Sequence, residues 1–330
     1  MSKLRSAIIG CGSIAPLHAQ SLKALDKSVL VTVADVEPDR ARAFGEKYEC
    51  DFTTDYREIL QRADVDVVHV CTPHHLHFEM ARDALNANKH VLVEKPLALS
   101  VSEAEELVNL ASEKSLQLGV VFQNRYNESS RVIKAYIEES KLGGVLGIRA
   151  MLTWHRDKAY YESGSWRGTW AGEGGGLLIN QAIHTVDLMR WFGGPLKKTY
   201  SSISTTVLTG IIEVEDTAHI VMEFENGARG VFFGTNAYVS DSPIFIQVDF
   251  ERGSLIQRNE EVYLKTDGNG ESLICEAPSQ PRIGKSYWGI GHSRCIDDFY
   301  TCIAEGKPFS IGGMEAIKTL EILSEVYSSK

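Results

Sequence analysis

A glycine-rich turn directly after the first apolar run constrains the fold of this chain more than any other feature. The turn, Gly10-Cys11-Gly12-Ser13-Ile14-Ala15, has the G-x-G-x-x-G/A pattern and lies between a strand-like run, Leu4–Ile9, and a helical period. In this pattern the first glycine permits a tight turn, the second lets the backbone approach a pyrophosphate, and the small third residue allows close helix-to-strand packing. Because the helix also directs its N-terminal amides at the phosphates, the sequence predicts a dinucleotide-binding βα unit. The residues predicted to contact the cofactor in this turn are Gly10, Gly12, Ser13 and Ile14.

An acidic residue at the end of the second strand bears on which dinucleotide is bound. Asp35 follows the run Val29–Ala34, where its carboxylate can accept hydrogen bonds from the adenosine ribose hydroxyls. The same carboxylate would repel a 2′-phosphate, so NAD is favoured. Arg40 and Arg42 follow within two helical turns and leave NADP open as an alternative.

Short β-rich runs alternate with amphipathic helical periods over the first part of the chain. Ser102-x-x-Glu105 predicts a capping box at one of these helices. This alternation is typical of βαβ units, so we predict a Rossmann domain with a doubly wound parallel sheet over residues 1–123. The predicted strands are Leu4–Ile9, Val29–Ala34, Val65–Cys71, His90–Val93 and Gln117–Phe122.

Residues 124–330 have a different pattern and are predicted to form a substrate-binding and oligomerisation domain. A strand-like run, Val145–Trp154, precedes a predicted helix over 177–192, which Gly193-Gly194-Pro195 ends. From about residue 197 to residue 265 the sequence reads as strands joined by hairpins, with Glu225-Asn226-Gly227 as one tight turn. We therefore predict an α/β domain with an open, mainly antiparallel sheet. Three more helices are predicted over 130–140, 294–304 and 315–327.

Apolar residues are predicted on both faces of this sheet. Ile220, Met222 and Phe224 share the face that packs on helices, whereas Val221, Phe232 and Phe245 are predicted on the other. An exposed apolar face favours self-association, so we expect a homodimer or homotetramer formed through the C-terminal sheet.

The length and charge of the chain narrow the class of partner. A length of 330 residues suits two domains, since a usual domain has about 100 to 200. The formal net charge of -10 disfavours nucleic acid and anionic membrane surfaces as partners and favours a small molecule.

The six cysteines include no C-x-x-C pair, so neither a zinc site nor a disulfide framework is predicted. Without a signal-peptide core or a run long enough to span a bilayer, we expect a cytoplasmic protein.

Two motifs follow strands of the predicted parallel sheet, at the carboxyl edge where ligands bind in such folds. Thr72-Pro73, with His77, follows one strand, and Glu94-Lys95-Pro96 follows the next. Lys95 can stabilise negative charge on a reacting oxygen, or it can pair with Glu94 for stability alone. His74, His75 and His77 have no acidic or cysteine ligands near them in sequence, so no metal site is predicted. The cofactor contacts predicted from these motifs are Thr72, Pro73, His77, Glu94 and Lys95.

A second candidate for proton transfer lies after the run Gly174-Gly175-Gly176. If a helix begins at Leu177, Asn180 and His184 share one face, with Asp187 near the same side. Histidine suits general acid/base chemistry near neutral pH, although a core histidine on an amphipathic helix is the alternative interpretation. The catalytic candidates are therefore Lys95, His184 and Asn180.

Polar side chains beside aromatic rings mark a candidate substrate site. Such groups suit a polyhydroxylated ring, because they fork hydrogen bonds next to flat apolar faces. Tyr160, Tyr161 and Tyr287 are weaker candidates for the same task. The predicted substrate residues are Arg125, Trp166, Arg167, Asn180 and His184.

Together these motifs resemble the glucose-fructose oxidoreductase/inositol dehydrogenase (Gfo/Idh/MocA) family over nearly the whole chain. The resemblance implies an NAD-dependent oxidoreductase that transfers hydride between nicotinamide and a secondary alcohol or ketone of a sugar, an inositol or a sugar derivative. Lys95 matches the family's catalytic lysine and His184 its catalytic histidine, and both are expected to converge on one substrate oxygen. Well-studied members of the family carry an aspartate where this chain has Asn180. An asparagine has no charge, so it cannot stabilise an imidazolium as an aspartate does. Whether His184 or Lys95 is the principal proton acceptor therefore stays open.

Two other functions stay open at this point. One is a nucleotide-sugar (UDP-sugar) dehydrogenase of the same family, in which Arg125, Arg156 and Arg167 would serve the diphosphate. The other is a non-catalytic regulator that senses NAD and a sugar. Fold alone does not decide between an enzyme and a sensor.

Overall fold

The computed structural model describes residues 3–279 and 290–328, so Tyr287 lies outside the described residues. The chain divides into two compact units. The first unit comprises Met1–Gln123 and Ile290–Leu320, and the second comprises Asn124–Gly289 and Glu321–Lys330. The division after Gln123 lies at the predicted position, whereas residues 290–320, which were assigned to the second domain, cluster with the first unit.

The first unit contains a six-stranded parallel sheet. Its strand order is β3-β2-β1-β4-β5-β6, in which the order reverses between β1 and β4. The predicted doubly wound Rossmann sheet is confirmed. Its strands are β1 (Leu4–Ile9), β2 (Ser28–Ala34), β3 (Asp51–Thr53), β4 (Val67–Val70), β5 (His90–Val93) and β6 (Leu118–Val120). The sequence did not predict β3, which has only three residues and no buried one.

Helices connect the strands of the first unit. In sequence order they are α1 (Ala15–Ala24), α2 (Pro38–Tyr48), α3 (Tyr56–Gln61), α4 (His77–Asn86) and α5 (Val101–Glu113). The predicted capping box at Ser102 and Glu105 is wrong. Ser100 has the extended backbone of an N-cap and exchanges both capping hydrogen bonds with Glu103, which places Ser102 inside the helix.

The second unit contains an eight-stranded sheet with the order β14-β13-β12-β11-β7-β10-β9-β8. Strands β7 and β10 pair in parallel, and the other described pairs of this sheet are antiparallel. The open, mainly antiparallel sheet is therefore confirmed. Its strands are β7 (Val145–Thr153), β8 (Leu196–Ser204), β9 (Thr217–Phe224), β10 (Arg229–Thr235), β11 (Phe245–Phe250), β12 (Gly253–Arg258), β13 (Glu261–Lys265) and β14 (Glu271–Cys275).

Five helices belong wholly to the second unit, and two lie near the end of the chain. The first five are α6 (Glu128–Glu138), α7 (Lys158–Glu162), α8 (Trp170–Glu173), α9 (Leu177–Asn180) and α10 (Ile183–Gly193). The last two are α11 (Gly291–Glu305) and α12 (Gly313–Ser328). Helix α11 belongs to the first unit, where Ser293 bonds Ser21 of α1 at 2.8 Å and Tyr300 is fully buried. None of the helices described in 3–279 and 290–328 is long and apolar enough to cross a membrane.

The inner face of the eight-stranded sheet is a continuous apolar core. Ile220, Met222 and Phe224 are at most 1% exposed, as expected. The prediction for Phe232 is wrong: it pairs directly with Ile220, shares the inner face and is 1% exposed. A shift of one residue in strand register moves every side chain to the other face, and the sequence does not fix the register of β10 that closely. Val221 and Phe245 do point outward, since they pair with Val231 and Met151 of the exposed face.

The predicted helix over 177–192 is interrupted. Helix α9 ends at Asn180 and α10 begins at Ile183, although Gln181 and Ala182 keep right-handed helical backbone angles. The amide of Ala182 bonds the carbonyl of Leu177, five residues back, which makes this turn wider than an α-helical one. The local turn between Asn180 and His184 therefore differs from the regular helix that the sequence predicted.

A buried glutamate attaches the start of α9 to the sheet. Glu215 is 2% exposed and accepts hydrogen bonds from the amides of Gly176 and Leu178 and from the Tyr327 hydroxyl, each at 2.9 Å. Burial outweighs these hydrogen bonds and raises the pKa of the Glu215 carboxyl to about 7. Since the unfolded chain releases this proton at a lower pH than the folded chain, the free energy of unfolding falls as the pH rises toward 7.

We expect Glu215→Gln to gain stability relative to the wild type as the pH rises. Between about pH 5 and pH 8, the difference in unfolding free energy should move by about 3 kcal/mol in favour of the variant, because glutamine does not ionise. Thermal unfolding of both proteins across this range measures the difference. The exposed variant Glu225→Gln serves as the control. A difference between wild type and Glu215→Gln that is constant with pH would contradict the assignment.

Candidate active site

The glycine turn of the first unit fits a pyrophosphate. Gly10 has φ +92°, and a Cβ there would lie 2.8 Å from the carbonyl oxygen of Cys71, so only glycine is accommodated. Gly12 faces open space, with no atom within 4 Å of where its Cβ would stand. Helix α1 has no side-chain cap and no acidic residue in its first turn. Its N-terminal amides therefore meet no competing carboxylate from α1 itself.

Asp35 braces this turn. Its carboxylate is buried and accepts the amide of Cys11 at 2.9 Å and the amide of Glu37 at 2.9 Å. Arg40 lies 3.1 Å from the same carboxylate, and Arg42 pairs with Asp39 at 2.8 Å. Both arginines that left NADP open are therefore paired with aspartates, which supports the preference for NAD.

The thiol of Cys11 stays neutral beside this turn. Burial, together with the charge of Asp35, raises the pKa of the Cys11 thiol to about 12. A thiolate, which would oppose the charge of a pyrophosphate, is therefore disfavoured.

His77 connects the loops that follow β4 and β5. Its ring nitrogens lie 2.6 Å from the carbonyl oxygen of Pro96 and 2.9 Å from that of Thr72, and the side chain is fully buried. Burial lowers the pKa of His77. The Thr72 hydroxyl oxygen is buried without a hydrogen-bond partner in the described structure, as expected for a group that awaits a ligand. His77 is therefore placed to position the two loops, while Thr72 has the free hydroxyl.

The candidate metal ligands do not assemble. In the described part of the chain, no three or more histidine, cysteine or acidic side chains are grouped to hold a metal ion. His74 is buried and His75 is exposed, so the two neighbours lie in different environments.

Glu94, next to Lys95, belongs to a buried network. His18 Nε2 lies 2.9 Å from its carboxylate, and His292 Nε2 lies 4.0 Å from it. Although burial alone would raise the pKa of the Glu94 carboxyl, the hydrogen bond and charge of His18 lower it to about 2. Burial lowers the pKa of His292 to about 4. Glu94 is therefore an ionised group next in sequence to Lys95, which is half-buried and whose charge also lowers the pKa of Glu94.

The network continues across the sheet to residues that the sequence did not single out. His18 Nδ1 lies 2.7 Å from His69 Nδ1, and His69 Nε2 lies 2.9 Å from the Tyr300 hydroxyl. No local sequence pattern reports such a chain, because its members come from α1, β4 and α11. It ties the position of Glu94 to the return of α11 to the first unit.

In the second unit, the end of α9 lies in a polar cluster. The Asn180 side-chain amide donates to the carboxylate of Glu173 and, at 3.3 Å, to the hydroxyl of Tyr160. Arg167 donates to the same hydroxyl at 2.6 Å. Two residues predicted as substrate contacts, Arg167 and Asn180, are thus brought together through Tyr160, and a third, Trp166, contacts Arg167.

Aromatic rings and a guanidinium stack within this cluster. The Arg167 guanidinium lies 4.6 Å from the ring centres of both Tyr160 and Trp166. Such a layer offers flat apolar faces next to hydrogen-bond donors. Glu173 was missed from the sequence, although its position directly before the Gly174–Gly176 run was an available signal.

Arg125 lies outside this cluster of contacts. Its guanidinium makes a two-pronged ion pair with Asp187, with hydrogen bonds of 2.7 and 2.6 Å, and both side chains are buried. It also lies over the ring of Trp191, at 5.3 Å from the ring centre. Arg125 therefore anchors its own short helical turn, Gln123–Tyr126, to α10. Its contact with a substrate stays a prediction.

His184 occupies the first turn of α10 and is half-buried. Asp187, expected near the same side as His184, is engaged by Arg125. Lys95 belongs to the first unit and His184 to the second.

Comparison with known proteins decides the family. Residues 4–122 match the Gfo/Idh/MocA model described as an oxidoreductase family with an NAD-binding Rossmann fold, and residues 130–256 match the C-terminal domain model of the same family. This chain belongs to the Gfo/Idh/MocA family. It is therefore an NAD-dependent oxidoreductase of the sugar and inositol dehydrogenase type, and its N-terminal unit is the NAD-binding one.

Characterised relatives within the Gfo/Idh/MocA family act on different substrates. The chain is 27% identical to levoglucosan dehydrogenase of Pseudarthrobacter phenanthrenivorans, over 94% of this chain and 92% of that protein. It is 27% identical to myo-inositol 2-dehydrogenase of Thermotoga maritima, over 81% and 80% respectively.

Solved dehydrogenase structures that share the fold of this chain also contain different sugar ligands. Levoglucosan dehydrogenase in complex with NADH and levoglucosan matches with a TM-score of 0.90 and 25% identity, over 99% of this chain and 97% of that one. The WlbA dehydrogenase of Bordetella pertussis, in complex with NADH and UDP-GlcNAcA, matches with a TM-score of 0.86 and 26% identity, over 99% and 96%.

We expect Asp187→Asn to destabilise the second unit by about 3 to 5 kcal/mol, since it leaves the buried guanidinium of Arg125 without its counter-charge. The double variant Arg125→Met/Asp187→Leu should lose less, because no buried charge is then left alone. Denaturant unfolding of the three proteins measures both effects. If Asp187→Asn unfolds within about 1 kcal/mol of the wild type, Arg125 is not anchored as described.

Proposed function

We propose that this protein oxidises a secondary alcohol of a small sugar, an inositol or a sugar derivative, using NAD, or reduces the corresponding ketone with NADH. The observation that carries the proposal is the cluster of Trp166, Tyr160, Arg167 and Asn180 in the second unit. Rings flanked by directional donors suit the alternating apolar faces and hydroxyl edges of a sugar or cyclitol.

The residues of the chain have separate tasks in this reaction. Bound NAD supplies the hydride chemistry. Gly10, Gly12, Ser13 and Ile14 lie along the pyrophosphate, and the buried carboxylate of Asp35 accepts the adenosine ribose hydroxyls. Thr72 donates from the loop after β4, and Pro73, His77, Glu94 and Lys95 shape the same edge of the sheet.

Lys95 and His184 manage the proton of the reacting hydroxyl. An ammonium stabilises the developing alkoxide, and an imidazole accepts and returns a proton near neutral pH. Asn180 orients the substrate or the imidazole by hydrogen bonding. Trp166 and Arg167 hold the ring, and Arg125 acts from a distance by fixing α10.

A nucleotide sugar is the second candidate, because the WlbA dehydrogenase was solved with UDP-GlcNAcA. The arginines of the second unit argue for a smaller ligand. Arg125 is engaged by Asp187, and Arg156 is buried and lies 3.0 Å from Asp241. Of the three arginines considered for a diphosphate, this leaves Arg167, whose guanidinium already donates to Tyr160.

A non-catalytic sensor is the third candidate. The presence of both Lys95 and His184 argues against it, because a sensor does not need groups for proton transfer.

The six cysteines are all free thiols, which supports a location in the reducing cytoplasm.

We expect NADH formation when the purified protein is given NAD and the right member of a panel of inositols, aldoses, anhydro-sugars and UDP-sugars. Lys95→Met and His184→Asn should each lower kcat by about 10²- to 10⁴-fold while NADH binding is kept, since both groups act on the proton in the transition state. Steady-state absorbance measures turnover, and NADH fluorescence measures binding. NADP, assayed in parallel, should give a lower kcat/KM.

Lys47→Met and His155→Asn, at exposed positions of the two units, are the matched controls and should keep wild-type turnover. Wild-type kcat in folded, NADH-binding Lys95→Met and His184→Asn would refute the assignment of these residues. No turnover on any substrate of the panel, with NADH bound, would favour the sensor.

We also propose that the outer face of the eight-stranded sheet joins two copies of this chain in a dimer or tetramer. Tyr200, Val221, Val231 and Met151 share this face and are 40% to 52% exposed. A contiguous apolar sheet face of this kind is rare on monomers. A two-fold axis would bury the same face on both copies.

Val231→Glu should therefore convert the assembly into smaller species, because it places a charge at the centre of the proposed interface. Sedimentation velocity at micromolar concentration reports the mass of each species. Val239→Glu, at a position 85% exposed outside the strands, should leave the assembly unchanged. A wild-type protein that sediments as a monomer contradicts the proposal.

A further inference from the structure

Glu173 is the most buried acid of the polar cluster at the end of α9. It is the last residue of α8 and is 1% exposed. One carboxylate oxygen accepts the amide of Gly168 at 2.6 Å, and the other accepts the side-chain amide of Asn180. Its charge is therefore held by fixed donors on both sides.

These contacts determine which way the Asn180 side chain is turned. The two ends of an asparagine amide differ, since the NH₂ group only donates and the carbonyl oxygen only accepts. Turning the amide over would place its carbonyl oxygen against the Glu173 carboxylate, and two acceptors repel each other. Glu173 thus directs the NH₂ group of Asn180 toward itself and Tyr160, and the Oδ1 atom lies at the opposite end of the amide.

The same hydrogen bond transmits charge. In a buried site, hydrogen bonds in series polarise one another, so an amide that donates to a carboxylate becomes a stronger acceptor at its carbonyl oxygen. Asn180 carries no charge itself, but it lies one hydrogen bond from a buried charge. The other ionisable groups around Glu173 are Tyr160 and Tyr161 on α7, Arg167, and Tyr327 on α12.

We propose that Glu173 is a positioning residue of the dehydrogenase: its buried carboxylate fixes the amide of Asn180 and polarises its carbonyl oxygen, and both effects favour the proton transfer proposed above. This inference rests on the proposed function for the roles of Asn180 and His184. It assigns a role to a residue that lies outside the catalytic set proposed above.

A charge-relocation experiment tests the assignment. In Glu173→Gln, the new amide can satisfy Gly168 only by turning its NH₂ group against that of Asn180, so two donors oppose each other. In Glu173→Gln/Asn180→Asp, the glutamine still accepts from Gly168 and now donates to the carboxylate introduced at position 180, which restores both hydrogen bonds with the charge moved to that position. Glu260→Gln removes a different buried carboxylate from the second unit and is the control.

We expect Glu173→Gln to lower kcat by about 10- to 100-fold, with a smaller effect on KM and with NADH binding kept. The double variant should recover to within about 3-fold of the wild type, and Glu260→Gln should remain at the wild-type rate. Wild-type kcat in Glu173→Gln would overturn the proposal. A double variant no faster than Glu173→Gln would also overturn it, because that variant restores both hydrogen bonds and returns a carboxylate to the pair.

A second measurement separates this proposal from the proposed function. NMR of the full-length protein with isotope-labelled asparagine, assigned with Asn180→Asp, follows the side-chain NH₂ of Asn180 without any substrate. Its exchange with solvent should be at least about 10-fold faster in Glu173→Gln than in the wild type or in Glu260→Gln. If the wild type has no turnover but this difference is seen, the proposed function fails and the positioning of Asn180 by Glu173 stands. Equal exchange in the wild type and Glu173→Gln overturns the positioning itself.

Discussion

Buried carboxylates that accept backbone N–H groups hold the glycine-rich segments of both units in shape. Glycine loses more conformational freedom on folding than any other residue, so an ordered glycine segment needs strong contacts from elsewhere. Asp35 accepts the amide of Cys11 in the first turn, and Glu215 accepts those of Gly176 and Leu178 in the second unit. Each of these hydrogen bonds satisfies a buried N–H group that would otherwise be left without a partner. The cofactor turn and the start of α9 therefore depend on the same kind of interaction.

This arrangement affects the two segments differently. Asp35 lies beside the glycine turn, and in the proposed NAD site its carboxylate is compatible with a ribose but not with a further phosphate. The nearby Arg40 partly balances that charge and is thereby less available to a 2′-phosphate. Burial raises the pKa of the Glu215 carboxyl to about 7. Loss of its proton near neutral pH therefore lowers the free energy of unfolding. Asp35 bears on the proposed choice of NAD over NADP, whereas Glu215 limits the pH range in which the start of α9 is most stable.

The features that the sequence predicted well are those that depend on residues close to one another in the chain. The turn at Gly10 and Gly12 and the alternation of strands and helices have fixed spacings, so the Rossmann sheet followed from them. Likewise, the hairpin turn at Gly227 indicated the antiparallel sheet, and Trp166 and Arg167 were placed beside Asn180 by their position before the glycine run. In each case, the residues that decide the structure are neighbours in the chain.

The features that were missed depend on partners distant in sequence. The buried ion pair of Arg125 with Asp187, which lies on another helix, is not indicated by the sequence neighbours of Arg125. Phe232 was assigned to the wrong face because strand register is set by the pairing of β9 with β10, which local alternation does not report. The return of α11 to the first unit depends on contacts of Tyr300 and Ser293 with strands and helices near the N-terminus. An amphipathic pattern indicates that a helix is packed on one side, but it does not indicate on which sheet.

The location of charge around Asn180 shows why a single substitution in a motif is a poor guide to activity. An aspartate at position 180 would present two equivalent oxygens, and either could turn toward the reacting group. An asparagine whose NH₂ group is bound to the buried carboxylate of Glu173 has one favoured orientation and one acceptor to present. Because Glu173 is 1% exposed, water does not compete for this hydrogen bond as it would at a surface position. In the role proposed for Glu173, a neutral residue in the motif and an acid just before the glycine run act together, so position 180 and position 173 have to be interpreted as a pair.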